Sequence, residues 1–220
     1  MNVDVKTLAR MIDHTLLKNT AQRKDIEKLC AEALEYGFAS VCVHPYYVGM
    51  CSSLLHRSAV KVCTVIGFPH GMHRTGTKIS ETMQAIHDGA LEVDMVIQLG
   101  ALIDGEKDIV WNDIRSVADT AHQSGALVKV IIETSELTLE QKILACQIVS
   151  DAGADFIKTS SGFASGGATI DDVELLRKYC PRDIGVKASG GIRTFESAMA
   201  MIQAGANRIG TSNGVNMMRI

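Results

Sequence analysis

The chain has 220 residues, of which 46% are hydrophobic and 21% charged, and its 22 basic and 25 acidic side chains give a formal net charge of -3. This composition is typical of a globular protein with a large core and excludes a disordered chain. The small negative charge gives no general attraction to nucleic acid, and no segment approaches the roughly 18 apolar residues that cross a membrane. We therefore expect one domain over residues 1–220, with neither nucleic acid nor membrane as a partner.

The six cysteines indicate a reducing environment. They include no Cys-x-x-Cys pair, and several lie in apolar runs such as 40–43 and 62–65. Buried, reduced thiols are typical of cytosolic proteins. The first six residues also lack the basic and apolar pattern of a secretory signal. We predict a cytoplasmic protein.

Short β-branched runs alternate with longer segments of helical period along the whole chain. Apolar residues recur at helical spacing in segments such as 21–36 and 138–152. This alternation indicates parallel strands joined by helices. The eight predicted strands are 11–16, 39–43, 60–66, 91–97, 126–132, 154–158, 184–188 and 207–210.

The number and spacing of these units favour a closed barrel. Five helices are predicted to end at a glycine that turns the chain into the next strand, namely Gly37, Gly89, Gly125, Gly153 and Gly205. An open doubly wound sheet would also fit the alternation, but no GxGxxG motif follows the first strand. We therefore predict a single-domain α/β fold, a (β/α)8 TIM barrel whose last helix, within 213–220, is truncated.

Polar residues near the carboxyl ends of the predicted strands are the candidate catalytic and binding residues, because barrel enzymes build their active sites there. Asp13 and Thr15 close strand 1, Asp94 lies in strand 4, Lys158 ends strand 6 and Lys187 lies at the end of strand 7. A lysine at the end of an apolar strand loses solvation unless it is paired or has a chemical role.

Two lysines on neighbouring strands point to covalent catalysis. A salt bridge across the barrel mouth would explain one such lysine. When two lysine side chains enter the same end of the barrel, their like charge and their burial lower a lysine pKa. The neutral amine that results is the form that attacks a carbonyl carbon. The pair therefore predicts a Schiff base, with Asp94 either relaying protons through water or balancing the charge.

Glycine-rich turns follow strands 6, 7 and 8. Barrels often bind phosphate in the loops after strands 7 and 8, where glycine leaves backbone N–H groups uncovered, although tight loops also need glycine for structural reasons. Arg193 either adds charge there or is a solvated residue of the next helix. The predicted substrate contacts in these turns are Gly162, Ser189, Gly190, Gly191, Gly210, Thr211 and Ser212.

The spacing of the histidines does not indicate a metal site. His70 and His73 are the one close pair in the sequence, and no set of acidic residues or histidines at ligand spacing accompanies them. We expect neither a metal nor another cofactor.

Seven stretches spread over nearly the whole chain resemble the bacterial type of deoxyribose-phosphate aldolase. The most specific are Phe156-Ile157-Lys158-Thr159-Ser160 and Val186-Lys187-Ala188-Ser189-Gly190-Gly191. The others are 13–17, 62–69, 92–96, 130–134 and 208–212. The resemblance implies a metal-independent cytoplasmic enzyme, dimeric or larger. It implies reversible cleavage of 2-deoxy-D-ribose 5-phosphate to D-glyceraldehyde 3-phosphate and acetaldehyde, in deoxyribonucleotide catabolism.

The resemblance also assigns roles to residues. It makes Lys158 the imine lysine and gives Lys187 and Asp94 the tasks of relaying protons and keeping that amine reactive. The chain departs from the family pattern at three positions: Ser161 stands where threonine is expected, Ala164 where serine or threonine is usual, and Asn213 where serine is common. The departure at Asn213 falls beside the predicted phosphate loops.

Two other interpretations share parts of this pattern. A phosphate-binding barrel isomerase or synthase would have the same loops after strands 7 and 8 but would not need paired lysines at strand ends. A barrel that only binds a sugar phosphate would use both lysines to hold the anion. Reduction by borohydride in the presence of a carbonyl substrate would inactivate the aldolase alone.

Overall fold

The computed structural model describes residues 4–219, and its centre is a closed barrel of eight parallel strands in chain order, with the last strand paired to the first. All eight predicted strands are confirmed. They are β1 (Ile12–Leu16), β2 (Ser40–Val43), β3 (Lys61–Ile66), β4 (Glu92–Val96), β5 (Leu127–Ile131), β6 (Phe156–Lys158), β7 (Gly185–Ser189) and β8 (Arg208–Thr211).

Helices connect successive strands and surround the barrel. They are α1 (Val5–Ala9), α2 (Arg23–Tyr36), α3 (Val48–Leu54), α4 (Thr75–His87), α5 (Leu99–Ile103), α6 (Lys107–His122), α7 (Leu139–Asp151), α8 (Ile170–Tyr179), α9 (Phe195–Gln203) and α10 (Gly214–Met218). The five glycines predicted to end helices have φ angles from 67° to 114°, as a left-handed turn requires. The last helix has only five residues, which confirms the predicted truncation.

The alternation of side chains along each strand separates an apolar layer from a polar interior. In β4, Val93 and Met95 belong to the large apolar core between the barrel and its helices. Glu92 and Asp94 point the other way and form ion pairs with side chains from other strands. The strand is buried throughout, as expected for a parallel sheet covered on both faces. The fold thus places charged residues inside the barrel.

The cysteines and the helices bear on two further expectations from the sequence. The six cysteines are buried and form no disulfide. Across residues 4–219, no helix combines the length and the apolar character needed to cross a membrane.

Candidate active site

A cluster of seven ionisable side chains occupies the barrel interior. Its members come from six strands, and each forms at least one ion pair within the cluster. The acidic members are Asp13, Glu92 and Asp94, and the basic members are Lys129, Lys158, Lys187 and Arg208. We call these seven residues the ion cluster.

The three residues predicted to be catalytic lie together in the ion cluster. Lys158 and Lys187 are register partners on β6 and β7. The Asp94 Oδ2 atom lies 2.7 Å from Lys158 Nζ and 2.6 Å from Lys187 Nζ. Lys187 Nζ also donates to Asp13 Oδ2 at 2.5 Å. The geometry therefore brings two amines and two carboxylates within hydrogen-bonding reach of one another.

The lower half of the ion cluster was missed by the sequence reasoning. Lys129 Nζ lies 2.9 Å from Asp94 Oδ1 and 2.7 Å from Glu92 Oε2. Arg208 donates to Asp13 Oδ1 and to both oxygens of Glu92, each at 2.6 Å. A signal was present, because Lys129 interrupts the apolar run of β5 and is therefore as conspicuous as Lys158 at the end of β6.

Burial and neighbouring charge compete in setting the pKa values of the acidic members. Burial alone would raise the pKa of Asp94, but the ammonium groups of Lys129, Lys158 and Lys187 reverse the effect and hold that pKa well below its usual range. Burial also opposes the ionised form of Asp13, whose pKa is nevertheless lowered by Lys187 and its other cationic neighbours. Both carboxylates are therefore ionised at neutral pH.

Two opposing effects set the pKa of Lys187. Burial does favour the neutral amine, but Asp13 and Asp94 outweigh it and raise the pKa of Lys187 above its usual value. The pKa of Lys129 is likewise raised well above its usual value, against burial, chiefly by Asp94. Sequence reasoning counted the neighbouring lysine and missed the second carboxylate that Lys187 contacts. Lys187 is therefore an ammonium ion at neutral pH.

Lys158 has the fewest ionic partners of the basic members. It pairs with Asp94 alone, whereas Lys187 pairs with two carboxylates, Arg208 with two and Lys129 with three. With four basic and three acidic members, the fully ionised cluster carries one surplus positive charge. Lys158 is thus the basic member that the fewest ion pairs hold in the cluster.

A cavity of about 720 Å³ opens above the ion cluster at the carboxyl ends of the strands. Lys158 lines it, and so does every predicted substrate contact except Asp13. Asp13 lies below the cavity, fully buried, where Ser40 Oγ donates to it at 2.6 Å in addition to its basic partners. Thr15 lines the cavity and donates its hydroxyl to the Asp13 carbonyl oxygen. Asp13 therefore contacts Lys187 and does not line the cavity.

One side of the cavity combines glycine turns with positive charge. Lys18 and Arg193 line it together with the turns after β7 and β8, and both side chains are exposed. Lys18 was also missed, although it follows the predicted first strand. Glycine is required at position 210, because a Cβ atom there would lie 2.9 Å from Ser189 Cβ and 3.2 Å from Lys187 Cε. This side offers backbone N–H groups and cationic side chains to an anion.

The loop that follows Lys158 is held by an unusual buried residue. Glu133 is 5% exposed, has a positive φ of 53° and accepts a hydrogen bond from Ser161 N at 3.1 Å. Next to it, Thr134 N donates to Thr159 O at 2.9 Å. Non-glycine residues adopt this backbone conformation at a cost, and such strain concentrates at functional sites. Glu133 was another residue that the sequence reasoning did not single out.

Possible metal ligands within residues 4–219 overlap with the ion cluster. Ligand atoms of Cys42, Cys63 and Asp94 approach one another within 4.8 Å, as do those of Asp13, Cys63 and Glu92. The carboxylates in both groups are already paired with ammonium or guanidinium groups. His70 and His73 belong to neither group and are exposed.

A closed (β/α)8 barrel with a lysine ion-paired at its mouth, beside a cavity with an anion-binding side, defines a barrel enzyme with an amine nucleophile. The chain belongs to the DeoC/LacD family of aldolases, whose model matches residues 7–219.

Known proteins of this kind resemble the chain over nearly its full length. Deoxyribose-phosphate aldolase 1 of Bacillus licheniformis is 59% identical over 97% of this chain and 96% of its own. The deoxyribose-phosphate aldolase of Thermococcus gammatolerans is 55% identical over 96% of this chain and 95% of its own. The tetrameric structure of deoxyribose phosphate aldolase from Aeropyrum pernix superposes with a TM-score of 0.92 at 35% identity, covering 98% of this chain and 91% of that one.

Family membership decides among the three interpretations of the sequence. The prediction of an aldolase is confirmed, and the interpretations as an isomerase or synthase and as a non-catalytic binding barrel are set aside. The lysine pair at strand ends was thus the informative feature, because the phosphate loops alone fitted all three.

Proposed function

We propose that this chain catalyses the reversible cleavage of 2-deoxy-D-ribose 5-phosphate to D-glyceraldehyde 3-phosphate and acetaldehyde through a Schiff base on Lys158. One observation carries the assignment of the lysine. Of the four basic members of the ion cluster, all within the described residues, only Lys158 lines the cavity, and it has a single ionic partner. The similarity to proteins named deoxyribose-phosphate aldolase supports the choice of substrate.

The reaction begins at the bottom of the cavity and requires an unprotonated amine for the first step. The amine of Lys158 attacks the aldehyde carbon C1 of the open-chain sugar, and loss of water gives a protonated imine. Removal of the proton from the C3 hydroxyl then breaks the C2–C3 bond. D-Glyceraldehyde 3-phosphate leaves, and the electron pair stays in an enamine on Lys158. Protonation at C2 and hydrolysis release acetaldehyde and restore the amine.

Asp94 and Lys187 are assigned to the proton transfers and to charge balance. Asp94 Oδ2 contacts both Nζ atoms, so it balances their charge and is placed to accept and return protons through water during imine formation. Lys187 keeps its proton at neutral pH and so supplies fixed positive charge beside the imine. Asp13 acts as a positioning residue that holds Lys187 from below. Arg208 in turn holds Asp13 in place.

The cationic side of the cavity is assigned to the phosphate. The turns that contain Gly190, Gly191, Thr211 and Ser212 line this side. Their backbone N–H groups and the side chain of Lys18 suit an anion. With phosphate there and C1 at Lys158, the sugar would extend across the cavity.

A direct assay tests the proposal. Purified protein, dialysed against EDTA, is mixed with 2-deoxy-D-ribose 5-phosphate, and acetaldehyde release is followed with a coupled dehydrogenase. We expect full turnover without added metal, and a far lower kcat/KM for unphosphorylated deoxyribose. Absence of acetaldehyde, or activity that returns only with added zinc, would refute the metal-free scheme.

We also propose that the protein works in the cytoplasm as a homo-oligomer, a dimer or larger. Six buried cysteines without disulfides support a reducing compartment. The tetrameric relative supports assembly, and so do exposed apolar side chains such as Met72 and Met83. Light scattering during gel filtration measures the assembly state, and a monomer at micromolar concentration would contradict it.

A further inference from the structure

The cavity has an aromatic side that the cleavage reaction proposed above does not use. Phe68 follows β3 and Phe163 lies in the loop after β6, and both side chains line the cavity with Lys158. Their rings meet edge to face, with centroids 5.3 Å apart and an interplanar angle of 88°. This is a preferred geometry for aromatic pairs.

Phe68 has a firm apolar support. It packs against a small cluster of buried residues that is separate from the main core, formed by Leu17, Cys42, Cys63 and Val65. Phe68 also follows β3, which lies four strands from β7 in the closed barrel of eight. It therefore stands across the mouth from the turn at Ser189 and Gly190.

Phe163 is held at its backbone while its ring stays accessible. Its N–H donates to Ser161 Oγ at 3.1 Å, and Ser161 N in turn donates to the buried carboxylate of Glu133. The ring is nevertheless 55% exposed. A large aromatic ring that is left exposed in the wall of a concave site is typical of a ligand contact.

We propose that Phe68 and Phe163 form an apolar subsite for the carbon chain of unphosphorylated aliphatic aldehydes, with Phe163 as the residue that determines specificity. This proposal rests on the proposed function. In the addition direction, the enamine carbon on Lys158 bonds to the carbonyl carbon of the acceptor, whose oxygen takes up a proton, so no redox partner is needed. A phosphorylated acceptor binds the cationic side. An aliphatic chain has no partner there and gains contact at the two rings.

Comparison of two acceptors tests the proposal. The kcat/KM of acetaldehyde addition is measured for hexanal and for D-glyceraldehyde 3-phosphate in the parent, Phe163→Ala and Phe163→Leu. Loss of an apolar contact should lower the value for hexanal about tenfold in the alanine variant, with less than about a twofold change for the phosphorylated acceptor. The leucine variant should recover most of the activity with hexanal. Leu139→Ala is the matched control, because Leu139 is also 55% exposed but lies on α7 outside the cavity.

Other results would contradict the proposed subsite. Equal losses on both acceptors would show that the ring only shapes the loop, and an unchanged value for hexanal would show that no subsite exists; either result overturns the proposal. A parent that adds acetaldehyde to the phosphorylated acceptor but not to hexanal overturns the subsite and leaves the proposed function intact. A parent inactive with both acceptors overturns the proposed function as well.

Discussion

Asp94 Oδ2 lies 2.7 Å from Lys158 Nζ and is shared with a second ammonium group, that of Lys187 at 2.6 Å. One carboxylate oxygen thus serves two amines on neighbouring strands. The amines differ in their other contacts, since Lys187 has Asp13 as a further partner and Lys158 has none in the described part of the ion cluster. In the proposed function, this asymmetry separates the two roles, with Lys158 as the nucleophile and Lys187 as the fixed charge.

Removal of Lys187 should shift the pH dependence of activity. In Lys187→Leu the ion cluster has one cation fewer and the same number of carboxylates. The remaining ammonium groups therefore give up their protons less readily. We expect the alkaline-side rise of kcat/KM to move upward by roughly one pH unit or more, an effect of about 1.4 kcal/mol per unit. Rates measured from pH 6 to 10 check this, with Lys24→Leu, which changes an exposed lysine, as control. A uniformly lower profile with an unmoved midpoint would contradict the electrostatic role.

A negative charge at Ser212 should impair binding of phosphorylated substrate alone. Ser212 lines the cationic side of the cavity and is exposed, so Ser212→Asp introduces repulsion without disturbing the core. The KM for 2-deoxy-D-ribose 5-phosphate should rise about tenfold or more, and that for deoxyribose by less than about twofold. Substitution of Gly190 would be less clear, because its φ is 88° and an added Cβ atom would lie 3.0 Å from Gly167 Cα. Ser212→Ala serves as control, and equal effects on both sugars would place the phosphate elsewhere.

His14 should make stability depend on pH near neutrality. The ring is 2% exposed, and burial lowers its pKa even though Glu32, 2.8 Å from Nε2, opposes that effect. Because the unfolded chain takes up this proton first, the contribution of neutral His14 is present above about pH 6.5 and is lost as the pH falls below that value. The slope from this one group is at most about 1.4 kcal/mol per pH unit.

Urea unfolding between pH 5 and pH 8 measures this effect. His14→Gln should be less stable than the parent at pH 8 and should show a flatter loss of unfolding free energy on acidification. His87→Gln is the control, because the His87 side chain is 83% exposed, and it should keep the slope of the parent. Parallel curves for the parent and His14→Gln would contradict the prediction.

Glu133 should affect catalysis through the loop that follows Lys158. Glu133→Gln keeps an oxygen that accepts from Ser161 N, whereas Glu133→Ala leaves that N–H without its acceptor. We expect the alanine variant to lose roughly tenfold or more in kcat and to unfold about 1–3 kcal/mol more easily, and the glutamine variant to stay near the parent. The kcat values and urea midpoints of the two variants check this. An alanine variant that is destabilised but keeps its kcat would limit Glu133 to a structural role.

The sequence predicted the barrel well because its strands and glycine turns are local signals. The β-branched runs and turn glycines such as Gly37 are visible within a few residues, and they matched the structure. Lys158, Lys187 and Asp94 were found because polar residues near the ends of apolar strands are conspicuous. Their proximity followed from the order of the strands.

Contacts between distant segments were harder to predict. Lys129, Glu92 and Arg208 meet only when the barrel closes, and the pairing of Lys187 with Asp13 joins residues 174 positions apart. That pairing helps to raise the pKa of Lys187. The aromatic contact between Phe68 and Phe163 depends on the course of two loops, for which residue spacing gives no rule.

Trapping of the covalent intermediate tests the central claim most directly. The protein is incubated with acetaldehyde and reduced with borohydride, and the modified peptide is identified by mass spectrometry in the parent, Lys158→Leu and Lys187→Leu. We predict an ethyl group on Lys158 in the parent, none at any pH in Lys158→Leu, and retained labelling of Lys158 at alkaline pH in Lys187→Leu. An ethyl group on Lys187 in the parent, or undiminished trapping within the barrel of Lys158→Leu, would contradict the assignment of Lys158 as the nucleophile.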